Sequence, residues 1–285
     1  MLKQVTGIHP AGSSHWVGDG FPVRNLFPSN GIEQQVNPFL MLDYAGPREF
    51  PPSTKQPGVG EHPHRGFETV TIVYQGHLEH RDSSGSAGSI GPGDVQWMTA
   101  ASGVVHEELF EKDFARRGGT LEMVQLWVNL PRADKMSPPG YQTLTAGIIP
   151  SYGPARVIAG EIDGVRGPAR TFTPVHLFDI RLKAGETAAI PVPAGHNSAL
   201  VLLKGGVRVD STLVEGEALL ALLSQSGGAV HLSAEKDSTL LILGGQPIEE
   251  PVASYGPFVM NTQEEIRQAI EDYRAGRMGR LPARR

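Results

Sequence analysis

Cysteine is absent from this chain. That removes disulfides, thiolate metal sites and cysteine nucleophiles together, so any bound metal must take nitrogen and oxygen ligands. Long apolar runs are missing too. Stretches such as "ALLALL" at 218–223 fall far short of the ~20 residues a membrane-spanning helix needs. The opening "MLKQVTGIHPAGSSHW" holds no apolar h-region, so no secretory signal is expected and the cytoplasm is the expected compartment. Positive charge is in short supply: 25 Lys and Arg stand against 30 Asp and Glu, for a net charge of −5. That balance excludes an electrostatic case for direct nucleic-acid binding. The locally basic tail "RAGRMGRLPARR" reads as a solvated arm.

Turn residues, by contrast, are plentiful. Thirty-five glycines and 23 prolines make up about a fifth of the 285 residues, well above the roughly 12% of ordinary chains. They punctuate short alternating apolar segments: "FETVTIVYQ", "VQWMTA", "GVVHEELF", "LEMVQLWVNL" and, later, "VHLFDIRL", "SALVLLKGGVRVD" and "STLLILGG". Spacing of this kind predicts an all-β chain of sandwich or barrel type. The Pro/Gly-rich stretch 131–142 predicts a division into lobes at 1–140 and 141–285. "VYQGHLEHRDS" and "LLKGGVRVDS", about 128–129 residues apart, predict that the lobes are alike. One helix is predicted near 262–275. Thr262 and Glu265 form a capping box there, Ile266, Ile270 and Tyr273 a stripe, and Gly276 the stop.

Chemistry concentrates in the first lobe. In a strand, residues two apart share a face, so His62 and His64 of "HPHRGFETVTIVYQG" point the same way. If that strand stays regular, Glu68, Val70 and Ile72 share their face. An isolated H-x-H is more often two ordinary polar side chains than a metal site. About forty residues on, however, His106 and Glu108 form a second such pair. On neighbouring strands the two pairs can bring three imidazoles and a carboxylate to one interior point. That set suits Fe, Mn, Co, Ni, Cu or Zn and leaves positions open for a substrate. Other chemistries lack a foothold. "GSAGSIGPG" is followed by no helix and no G-K-S/T, and no G-x-S-x-G elbow exists.

The run from Gly60 to Gly76 resembles the first cupin motif, and "GPGDVQWMTAASGVVHEE" resembles the second. The finer pattern "HPHRGFET", "GDVQWMTA", "GVVHEE", "NPFLMLDYAGP" and "YGPFVMNTQEEIRQAI" resembles the pirin family over essentially the whole chain. This resemblance implies a bicupin: two antiparallel β-barrel or jelly-roll lobes with a short C-terminal helix. It also implies one mononuclear metal in the N-terminal lobe, with Fe expected first and Mn, Cu, Ni, Zn or Co as substitutes. Carried over, the metal ligands are His62, His64, His106 and Glu108, while Glu68, a ligand position in ordinary cupins, is not one. In the second lobe Pro191 and Pro193 stand at the H-x-H position, and His231 echoes His106 without a following glutamate. That lobe is therefore expected to be metal-free, with His196 and His231 structural. His77 and His80 are placed on the strand after the first turn, and His80, in a family-like "H-x-D-S" segment, is expected to be a hydrogen-bonded strand residue; His9, His15 and His176 have no partner pattern.

The resemblance further implies quercetin 2,3-dioxygenase activity, the opening of a flavonol-like ring by O₂ with loss of carbon monoxide. Its partners would be a small aromatic substrate and O₂, and Glu108 would be the catalytic base. The same family also implies a different class: a non-enzymatic regulator whose metal redox state gates binding to a protein partner. No membrane partner is expected under either reading.

Overall fold

A computed structural model describes residues 1–28 and 31–283. The strand pairings are antiparallel apart from an isolated parallel bridge between Arg65 and Phe258, and three short α-helices lie among the described residues. Its sheets have free ends, so the expected barrels are not closed. Among the described residues, no helix is long and apolar enough to cross a membrane.

The chain divides into two compact units, and each gathers separate stretches of sequence. One unit comprises Met1–Ser13, Arg24–Tyr44 and Gly147–Pro247; the other comprises Ser14–Val23, Ala45–Ala146 and Ile248–Arg285. The division expected at 140/141 thus follows chain order only in the middle of each lobe. The first strand, Val5–Pro10, pairs with Thr212–Leu223 and so joins the C-terminal lobe. The last helix, Gln263–Arg274, belongs to the N-terminal one rather than completing the second.

The C-terminal unit is built on Asn197–Val209, flanked by Thr212–Leu223 and Ala229–Gly245 and continued by Val175–Leu182 and Ala155–Ala159. Its core is apolar. Phe178, Ile180, Leu200, Leu202, Leu240 and Ile242 belong to one fully buried apolar cluster.

In the N-terminal unit, one sheet runs Gly58–His64, Val104–Phe110, Leu78–Asp82, Ala87–Ile90. A second set of strands runs Gly140–Leu144, Val95–Thr99, Phe67–Gln75, Gly119–Asn129. The first two motif segments therefore do not form one regular strand. Gly66, at φ 89°, breaks the chain between them. A side chain there would run into the Val259 carbonyl, its Cβ only 1.9 Å away, so only glycine fits. Two buried basic side chains hold this corner. The buried Lys135 ammonium donates to the Gly66 carbonyl (2.7 Å), Asn129 Oδ1 (2.6 Å) and the Val259 carbonyl (3.0 Å). Buried Arg65 reaches Asp272 of the last helix at 2.7 Å. That helix carries the expected capping box on Thr262 and Glu265, and Gly276 follows it at positive φ. Ile266 and Ala269 pack with Val105, Phe258 and Met260, whereas Tyr273 is exposed rather than part of the buried stripe.

Candidate metal centre

Three neighbouring strands of the Gly58–His64 sheet each carry two polar residues spaced i, i+2. They are His62 and His64, then His106 and Glu108, then His80 and Asp82. The register aligns them: His106 lies opposite His62 on one side and Asp82 on the other, and Glu108 lies opposite His80. Cross-strand partners share a face, so one face of this sheet is polar where an ordinary interior would be apolar.

The three expected imidazoles do come together. Ligand nitrogens of His62, His64 and His106 all lie within 4.8 Å of one another, and their ring centroids are 4.2–5.0 Å apart. His62 is half-buried, His64 and His106 fully buried. Nδ1 of His62 sits 2.8 Å from the Gly60 carbonyl, and Nδ1 of His64 sits 3.4 Å from that of Pro257. Each ring is thereby fixed through Nδ1, which leaves Nε2 for a ligand. Burial, reinforced by the neighbouring imidazoles, holds His64 and His106 well below the usual imidazole range. They stay neutral, the form that binds metals.

Glu108 stands beside this group rather than within it. It groups instead with His80 and His106, again within 4.8 Å. Its carboxylate accepts from Gln96 Nε2 (2.8 Å), Gln125 Nε2 (2.8 Å) and Thr71 Oγ1 (3.3 Å). Two amides and a hydroxyl from the second set of strands thus aim the carboxylate, and none of the three has a local sequence signature.

Thr71 also settles where Glu68 points. Residues three apart on a strand face opposite ways, so Glu68 turns away from Glu108 and the imidazoles, contrary to the shared face expected of a regular strand. It accepts from Thr99 Oγ1 at 2.7 Å. Burial pushes its carboxyl up to about 7, against the downward pull of the Thr99 hydrogen bond.

His80 is a hydrogen-bonded strand residue, as expected, and it reaches a ligand candidate besides. Fully buried, it stacks on Tyr141 (4.7 Å, 19°) and places Nε2 3.1 Å from Asp82 Oδ2 and Nδ1 3.3 Å from His106 Nδ1. The "HLEHRD" segment carried the i, i+2 signal that marked the other two pairs. Aromatic side chains edge the site as well: Phe67 and Trp127 lie 5.0 and 5.2 Å from the His64 ring, and 4.2 Å from each other. Trp127 is half-buried, yet its Nε1 is shielded and makes no hydrogen bond.

In the C-terminal lobe the remaining imidazoles are scattered or merely paired. His231 sits between core residues Val230 and Leu232, on the opposite face of its strand. His176 and His196 lie 5.3 Å apart, each with a shielded, unpartnered Nδ1. Burial and the His196 ring lower His176 to about 4. No group of three ligand residues forms in that lobe among the described residues.

Residues 20–128 match the Pirin family model, and residues 177–279 match that of the Pirin C-terminal cupin domain. A Pseudomonas aeruginosa protein named "Putative quercetin 2,3-dioxygenase PA2418" is 55% identical over 97% of this chain and 98% of its own. A "Pirin-like protein" of Solanum lycopersicum is 41% identical, covering 92% of this chain and 88% of that one. The crystal structure of a quercetin 2,3-dioxygenase from Acinetobacter baumannii superposes with a TM-score of 0.94 at 49% identity. That match covers 99% of this chain and 100% of the other.

Proposed function

We propose, from the premise that this chain belongs to the pirin family, that it is a metal-dependent dioxygenase of flavonol-like compounds. The observation that carries this reading is the meeting of three imidazoles at one point, where the buried His106 Nε2 has no protein partner. A buried nitrogen lone pair without a donor is costly, and a metal ion satisfies it. The donor set, nitrogen and oxygen only, suits Fe first and also Mn, Co, Ni, Cu or Zn. His62, His64 and His106 would hold that ion, with Glu108 as fourth ligand. Bound there, it would supply Lewis acidity toward a hydroxy-ketone oxygen pair and an electron path to O₂.

The chain's own residues do the rest. Glu108 takes the substrate hydroxyl proton on a carboxylate oxygen, held ready by Gln96 and Gln125. Half-buried Trp127, backed by the buried Phe67 ring, offers flat apolar surface to a planar aromatic ring. Half-buried His62, Gln125 and Trp127 mark the side from which such a molecule enters.

The test is anaerobic metal loading, then quercetin and O₂, following loss of the flavonol absorbance and release of carbon monoxide. Turnover is expected in the wild type, with a fall of about 10²-fold or more in Glu108→Gln. Metal-replete protein that shows neither signal with any of these ions would transfer the site to the regulator reading, a switch for a protein partner.

A further inference from the structure

We infer that Asp82 and His80 are positioning residues that fix the tautomer of His106, so that its Nε2 lone pair faces the metal position. In function this rests on the proposed metal centre; the tautomers themselves do not depend on it.

The argument begins at Asp82. Its Oδ1 accepts from the Ser84 amide (2.9 Å), the Ser84 hydroxyl (2.6 Å) and the Ser86 amide (3.0 Å). A carboxylate so surrounded only accepts, so the contact from its Oδ2 to His80 Nε2 requires the proton on Nε2. Next comes Nδ1 of His80. Gln96 approaches it with Nε2 in a long 3.5 Å contact, and the amide cannot be turned round. Its Oε1 is taken by the Tyr141 hydroxyl at 3.1 Å, and its Nε2 donates to Glu108 at 2.8 Å. Tyr141 remains a donor because burial raises its hydroxyl to about 12. A donor therefore faces His80 Nδ1, which carries the lone pair.

The last link follows. His106 Nδ1 lies 3.3 Å from that lone pair and must supply a hydrogen. Its own lone pair then sits on Nε2, the buried atom that no protein group meets and that stands among the three imidazoles. One carboxylate thus sets two ring tautomers in series. A carboxylate behind a metal-bound histidine is a common support; here a second imidazole is interposed. Without it, a proton can rest on His106 Nε2 and must leave before any metal binds.

Asp82→Asn is the discriminating variant. Its carbonyl can keep the Ser84 and Ser86 amides, which turns the NH₂ toward His80 Nε2. Donor then meets donor, His80 moves its proton to Nδ1, and His106 is left protonated on Nε2. Two measurements follow: imidazole ¹⁵N shifts of the metal-free protein, and Co²⁺ affinity by competition with a chromogenic chelator. Expected are Nδ1–H on His106 in the wild type, Nε2–H in Asp82→Asn, and a 10- to 100-fold weaker Co²⁺ affinity with unchanged far-UV circular dichroism. His80→Gln keeps an acceptor toward His106 and should recover most of the affinity that His80→Leu loses. Wild-type His106 protonated on Nε2, or Asp82→Asn matching the wild type in both tautomer and affinity, would overturn the inference. His62→Ala is the separate control. If Co²⁺ binds it as tightly as the wild type, the proposed centre fails, while the metal-free spectra still decide the tautomers. If Asp82→Asn does not fold, the wild-type spectrum and the His80 pair decide.

Discussion

Gly66 and Gly195 stand 129 residues apart, at φ 89° and 84°, and each leads into a long central strand, Phe67–Gln75 or Asn197–Val209. Before the first glycine come His62 and His64; before the second come Pro191 and Pro193. Pro191 ends the strand Thr187–Pro191, which pairs on one side only, where a missing N–H does no harm. After the glycines stand Glu68, a carboxylic acid, and Asn197. The latter amide is fully employed, donating to the Gln34 and Asn37 carbonyls and accepting from Gln225. The strand Ala229–Gly245 alternates, sending Val230, Leu232 and Ala234 inward, whereas Val104–Phe110 is buried along its whole length and still holds His106 and Glu108. The same strand-and-turn frame thus supports an apolar core in one lobe and a hydrogen-bonded polar face in the other. The frame does not imply the chemistry; the residues grafted on it do.

The sharpest way to break that comparison is a matched pair of truncations. His106→Ala should reduce metal content at least tenfold while leaving far-UV circular dichroism unchanged. Phe178→Ala, in the apolar core of the other lobe, should lower the unfolding free energy by about 3–5 kcal/mol. Metal per folded molecule should stay as in the wild type. Metal analysis alongside denaturant titration separates the two. If Phe178→Ala empties the site in folded protein, or His106→Ala keeps its metal, the lobes do not divide the work this way.

Glu68 supports a second, somewhat smaller effect. Its carboxyl is raised to about 7 in the fold against 4.5 outside it. Between those values the folded state holds the proton that the unfolded chain has released. Stability from this group is therefore full below about pH 4.5 and declines as pH rises toward 7. The loss is on the order of 3 kcal/mol, at 1.36 kcal/mol per pH unit. Glu68→Gln, which puts a neutral amide where the other lobe has Asn197, should remove the decline and be the more stable protein at pH 8. Parallel pH profiles for variant and wild type would contradict the assignment of that slope to Glu68.

How much of this was legible beforehand depended on range. The pairs His62/His64 and His106/Glu108 announce themselves by a spacing of two, and the last helix by Thr262, Glu265 and Gly276, because strands and caps write local rules into sequence. The expected continuity from His64 to Glu68 failed at a single glycine. Two residues at a corner exchange the faces of everything that follows. Gln96 and Gln125, which aim Glu108, come from strands 12 and 17 residues away in sequence, and nothing in their neighbourhood marks them. The exchange of terminal segments between lobes was hidden for the same reason, since Val5–Pro10 finds its partner more than 200 residues on. His80 and Asp82 were different. Their signal was present and local, yet a histidine beside an aspartate on a strand looks like any satisfied polar pair until a second histidine is seen behind it.

The smallest expected effect concerns His231, the residue whose sequence context most resembles that of His106. "SGVVHEE" and "GGAVHLS" match in pattern, but the side chains diverge. His106 is fully buried on the polar face of its sheet. His231 is half-buried, with core residues Val230 and Leu232 on either side of it in a strand, so alternation turns it away from the core. What His231 gives the fold is backbone: its residue pairs with Ala189 across the sheet, and its carbonyl accepts from the Asp210 amide at 3.1 Å. Alanine keeps both. His231→Ala should therefore change the unfolding free energy by no more than about 0.5 kcal/mol and leave metal content unchanged. Denaturant midpoints measured beside His106→Ala put the two echoes on one scale. A cost above 1 kcal/mol, or any loss of metal, would mean that the second lobe keeps a use for this histidine that its place on the strand does not explain.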